Sequence, residues 1–187
     1  VQFILSQTDA ANEATADKLY DARDRMSPSG KAWLAYTLNA INPSDARVRD
    51  LISNLETEAI RTASSAHWET PAENIISRGS PVYTTSVVLH VLAQIDPANQ
   101  IVIDAVRYIA AHRNANKLWN YGHENAWAMM ALNEAMIGLG DLRADYAFSA
   151  MLNGSPLTSG DISGIQIEPL TASVPLESLS PNSPNLL

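Results

Sequence analysis

Apolar residues follow two different periods along this chain, and the change falls near Arg143. Before it they recur at helical spacing; after it, short alternating runs are separated by Gly, Pro, Ser and Asn. The helical part predicts two kinds of helix. Val48, Leu51, Ile52, Leu55 and Ala59 form one stripe among charged neighbours, and Val102, Ala105, Val106 and Ile109 repeat it, as in helices exposed on one face. Leu19, Ala22 and Met26 make a weaker stripe within the charged segment Ala11–Met26. Ala32–Ile41, Val87–Ile95 and Ala126–Leu139 are apolar nearly all round, which predicts inner, enclosed helices.

The two kinds alternate between regular breaks. Asn42-Pro43-Ser44, Asp96-Pro97 and Gly138-Leu139-Gly140-Asp141 each follow an inner run and are expected to turn it into an outer helix. Ser27-Pro28 reads as an N-cap followed by Pro at the first helical position. The return connections are longer and carry aromatics, in Ala66-His67-Trp68-Glu69-Thr70 and in Leu118 to His123. Repeated pairs of one enclosed and one half-exposed helix predict a mainly α fold, and apolarity on all sides of the inner helices favours a closed α/α toroid over an open solenoid. About seven helices are expected up to Gly140, and none of the chain before Arg143 is expected to be strand.

Beyond Arg143 the pattern is β. Tyr146, Phe148, Ala150 and Leu152 alternate with their neighbours, Asn153-Gly154 is a hairpin signal, and the returning strand is expected from Leu157. Ile165–Glu168 and Val174–Leu179 are candidate further strands, broken by Pro169, Pro175 and Pro181. The expected organisation is therefore a partial toroid over residues 1–143 and a short β-rich segment over residues 144–187. Opening at Val1 and closing on a Ser/Pro/Asn-rich run, the chain reads as a piece of a longer protein.

Composition narrows the function. With Lys+Arg 12 against Asp+Glu 20 the formal charge is -8, which disfavours nucleic acid or an anionic membrane as the main partner. The absence of Cys removes disulfides, thiolate metal sites and a Cys nucleophile from these residues. Apolar runs such as Ala126–Leu132 fall well short of the ~20 residues of a membrane-spanning helix.

Three runs carry a resemblance. Ser27-Pro28-Ser29-Gly30-Lys31-Ala32-Trp33-Leu34-Ala35, then Ala66-His67-Trp68-Glu69, then Trp119-Asn120-Tyr121-Gly122-His123-Glu124-Asn125-Ala126-Trp127 continuing to Leu132, are similar in order and spacing to the bacterial branch of the alpha-2-macroglobulin family. The resemblance covers roughly Val1 to Leu157. It implies the later half of the family's thioester domain, an α/α toroid, with Tyr146–Gly154 as the strand re-entering a neighbouring CUB-like β-sandwich domain. It further implies a protease inhibitor of the cell envelope, periplasm or exterior, which traps proteases after a bait segment is cut, in many members through a Cys–Gln thioester. The Gly-Cys-Gly-Glu-Gln run of that thioester is absent here. The implied partners are proteases, through the whole parent, and other domains of the same chain.

The candidate site residues are those of the long loops: His67, Trp68, Glu69, Trp119, Tyr121, His123 and Glu124. In an alternating toroid these loops share one end, and a His/Glu pair from each could converge on a metal. The plainer reading outweighs it: Trp68 and Trp119 bury apolar area at the loop bases, while Glu69 and Glu124 satisfy donors at helix starts. Neither a metal nor a cofactor is expected. Trp33 and Trp127, at equivalent places in two inner helices, read as core rather than as ligand-stacking rings, and Met129, Met130 and Met136 as gap-filling core. His90 reads as a hydrogen-bonded core histidine, His112 as a cation at a helix C-terminus, and Asp21, Asp24, Glu56 and Glu58 as solvated faces.

No Ser/His/Asp or Cys/His arrangement can be assembled by spacing, so the chain is not expected to be an enzyme. Two rivals remain: an α/α-toroid enzyme of terpene-cyclase, prenyltransferase or glycoside-hydrolase type, and a helical-repeat scaffold binding peptides. The first lacks a DxDD-type acid cluster and the Cys of a prenyltransferase zinc set, and the second leaves the β-like tail unexplained.

Overall fold

The computed structural model of the protein describes residues 1–8, 10–70, 79–140, 144–164, 171–181 and 184–186. It is mainly helical, and the chain divides into two compact units, Val1–Leu139 and Gly140–Leu187.

Seven α-helices are present among the described residues, all in the first unit: α1 (Gln2–Ser6), α2 (Glu13–Asp21), α3 (Pro28–Ile41), α4 (Ala46–Glu58), α5 (Pro81–Ile95), α6 (Gln100–Ala111) and α7 (Gly122–Leu139). Local chemistry sets their starts. Ser27 Oγ accepts from the Gly30 N–H ahead of Pro28, and Ser80 Oγ accepts from the Tyr83 N–H ahead of Pro81, so α3 and α5 begin with the same Ser-Pro cap. The two outer helices also start alike. Asp45 caps α4 and Asn99 caps α6, each by accepting the backbone N–H two residues on.

α5 is the centre of the unit, buried without interruption from Thr84 to Ala93. It packs against α3 on one side and α7 on the other, while α4 lies on α3 and α6 lies on α5. Val48, Leu51, Ile52 and Leu55 turn the α4 stripe inward, and Ile101, Val102, Ala105, Tyr108 and Ile109 do so for α6. Burying each Leu or Ile side chain contributes about 1.5–3 kcal/mol, which fixes these helices by their stripes.

α7 departs from the expectation of an enclosed inner helix. Ala128, Ala131 and Ala135 are buried toward its neighbours, but Met129 is 62% exposed, Met130 48%, Met136 42% and Ile137 52%. These methionines are not gap-filling core. A sequence all-apolar around a helix marks two faces fit for burial, and among the described residues only one of them is covered. A second correction concerns the turn after α7: Gly140, at φ 78, ends the helix in the left-handed conformation, and the next described element is not an outer helix but the strand expected beyond Arg143.

Strand also occurs earlier than expected. Thr62 N–H donates to the Ser65 carbonyl and Thr62 Oγ1 accepts from the Ser65 N–H, folding the chain back so that β1 (Ile60–Arg61) pairs antiparallel with β2 (Ala66–His67). A turn closed by local hydroxyls brings two residues on either side into register, which helical periodicity does not report.

In the second unit β3 (Ala144–Leu152) pairs antiparallel with β4 (Ser155–Gly164). Asn153 at φ 51 and Gly154 at φ 81 form the two-residue turn with positive φ at both places that suits a hairpin. Phe148 lies opposite Gly160, and its ring edge takes the space a β-carbon would need, 3.2 Å away. Asn153 holds the tail, its N–H donating to the Leu186 carbonyl and its Oδ1 accepting from the Leu186 N–H, both at 3.0 Å. Val174–Leu179 is not a strand: Pro175 lacks an N–H for a ladder, and Leu176–Ser178 form a 3-10 turn behind it. Ile165–Glu168 lies outside the described residues.

Candidate functional site

Each outer helix is followed by a loop whose Trp is driven into the protein, and the two loops are built alike. Trp68 is fully buried; its indole N–H donates to the Leu55 carbonyl at 2.7 Å, and its backbone N–H donates to Thr85 Oγ1 at 3.1 Å. Trp119 is buried as well; its indole N–H donates to the Ile109 carbonyl and its backbone N–H to Asn125 Oδ1, both at 3.0 Å. Leu55 and Ile109 sit in the last turns of α4 and α6, where the i→i+4 ladder runs out and carbonyls take partners from beyond the helix. Thr85 and Asn125 sit near the starts of α5 and α7. Each Trp therefore ties the end of an outer helix to the beginning of the next inner one, an equivalence that the spacing of the two Trp residues did not reveal.

The remaining loop residues find separate partners. The His67 ring stacks on Tyr108 with centroids 4.4 Å apart and planes 6° apart, and its Nε2 lies 3.4 Å from Glu69 Oε1. Tyr108 in turn lies against His112, 3.9 Å between centroids, and burial, reinforced by Glu69, pushes the Tyr108 hydroxyl pKa up. His112 follows the last turn of α6, with its Nδ1 2.7 Å from the Tyr108 carbonyl. Tyr121 and His123 are exposed and stack on each other at 5.7 Å. Glu69 is exposed, and among the described residues its carboxylate meets His67 and no helix start.

Glu124 is the buried charge of this region, 2% exposed. Its carboxylate accepts from the Ser80 hydroxyl and, at 3.2 Å, from the Tyr121 N–H. It thus joins the cap of α5 to the start of α7, and two donors, Ser80 and Tyr121, satisfy a carboxylate that would be costly to bury alone. Among the described residues no group of three His, Asp or Glu side chains is arranged to hold a metal.

Further in, Phe3, Trp33, Tyr83, His90 and Trp127 form an aromatic cluster with centroid separations from 5.7 to 6.3 Å along Trp33–Trp127, Tyr83–Trp127, His90–Trp127 and Phe3–Trp33. Trp33 and Trp127 are half-buried, less enclosed than core packing predicts. A cleft of about 470 Å³ opens beside Trp33, lined by Phe3, Leu19, Met26 and Leu34 with Arg25 and Ser27. Trp33 Nε1 is sealed from solvent and has no hydrogen-bond partner among the described residues. His90 Nε2 lies 3.1 Å from the Gln94 amide nitrogen, and burial holds the imidazole pKa below its ordinary value, against a smaller pull from Glu134.

One pair went unread in the sequence. Lys31, on the inner helix α3, is 4% exposed and pairs with Glu58 at the end of α4. Glu58 is therefore more than a solvated surface carboxylate: it neutralises a buried ammonium, and the pair fastens α4 to α3. Glu56, likewise, accepts from the Asn99 side chain at 2.5 Å and links α4 to the cap of α6.

Compared with models of known protein families the chain matches none, and no curated protein matches it.

Proposed function

We propose that this chain is the later part of a thioester-type α/α toroid in a bacterial alpha-2-macroglobulin-like protease trap, and that it is a structural component without catalysis of its own. The observation that carries this reading is the repeated helix pair. α3–α4 and α5–α6 share the Ser-Pro cap, the Asp or Asn cap and the buried Trp tie, and α7 then presents one covered and one uncovered apolar face. Inner helices side by side with outer helices laid upon them are the elements of a double ring, and an uncovered apolar face is what an unclosed ring leaves exposed. The apolar residues of β3 suit a strand that joins a larger β-domain.

On this reading the residues supply the wall against which the thioester-bearing half packs and the covalent joint to the β-domain. They contain no Cys and so form no thioester. The parent acts in the cell envelope or outside the cell: bait cleavage releases a conformational change, and the protease is held physically or covalently. Two assays on the full-length parent test this. Methylamine-sensitive covalent capture, or a captured protease shielded from a large inhibitor but open to a small one, is expected; a parent that leaves proteases fully accessible overturns trapping. Hydrolytic or cyclase activity in the purified chain overturns the non-enzymatic role.

A further inference from the structure

We draw no further inference here: the strongest candidate, the exposed apolar stripe of α7 formed by Met129, Met130, Met136 and Ile137, is the face on which the proposed function already rests, and nothing else in the structure shows what covers it.

Discussion

Ser80 donates its hydroxyl hydrogen to the buried carboxylate of Glu124, 44 positions away in the sequence. The same Ser80 oxygen accepts the N–H that starts α5, so one side chain caps a helix and anchors the beginning of α7.

Glu124→Ala strips partners from both the Ser80 hydroxyl and the Tyr121 N–H. The expected loss is about 2–4 kcal/mol, from unsatisfied polar groups in a buried place. Glu124→Gln keeps one accepting oxygen and should lose less. Urea denaturation of both variants checks this, and equal stability of Glu124→Ala and the parent sequence refutes the anchoring role.

Trp68→Phe removes the indole N–H from the Leu55 carbonyl while keeping an aromatic ring, and is expected to cost about 1–3 kcal/mol. Trp68→Ala should cost about 3–5 kcal/mol. Trp127→Ala should cost less than Trp68→Ala, because Trp127 is only half-buried. The ranking is the decisive outcome in chemical denaturation.

Gly138 sits where α7 meets the turn after α5. A β-carbon there would lie 2.7 Å from Pro97 Cβ and 2.8 Å from the Ala93 carbonyl oxygen. Helix propensity alone favours Gly138→Ala by about 1 kcal/mol. Because backbone must yield, the variant is expected to be destabilised by about 1–3 kcal/mol instead. A raised melting temperature would contradict the close approach.

His90 sets an acid-side dependence. Its folded-state pKa lies below the ordinary 6.5, so on acidification the unfolded chain takes up a proton before the native one does. Stability from this group is complete above about 6.5 and falls as pH drops below it, until the folded-state pKa is reached. His90→Gln should flatten that part of a stability–pH curve. Asp45 acts in a separate, lower window: the Arg47 guanidinium holds its pKa below 3.8, so its contribution is present above that value and lost as pH falls beneath it.

The uncovered face of α7 can be read by oxidation. Exposed thioethers become sulfoxides faster than enclosed ones, so Met129, Met130 and Met136 should oxidise with peroxide ahead of the half-buried Met26. If the toroid reading holds, the same three are protected in the full-length parent. Continued rapid oxidation there would show that nothing closes over α7.

What the sequence made legible was local. Ser27-Pro28 fixed a helix start, Asn153-Gly154 a hairpin, and the stripes of α4 and α6 their buried faces, because each depends on neighbours within a turn or two. Lys31 with Glu58, and Ser80 with Glu124, were hidden because each joins residues on different elements. The α7 methionines misled for a different reason: apolarity reports that a face is suited to burial, not that a neighbour is there to bury it.

The two Trp ties have a consequence for loop length. Since Trp68 and Trp119 pin each loop where it re-enters the helices, the chain between the outer helix and the Trp closes on itself before the inner helix begins. Extra residues inserted after Arg61 or after Arg113 enlarge a circuit whose ends are already joined. The entropy of closing such a circuit grows only with the logarithm of its length, about 0.6 kcal/mol per doubling. These connections are therefore where the protein can gain or shed residues over evolution while its helices keep their places.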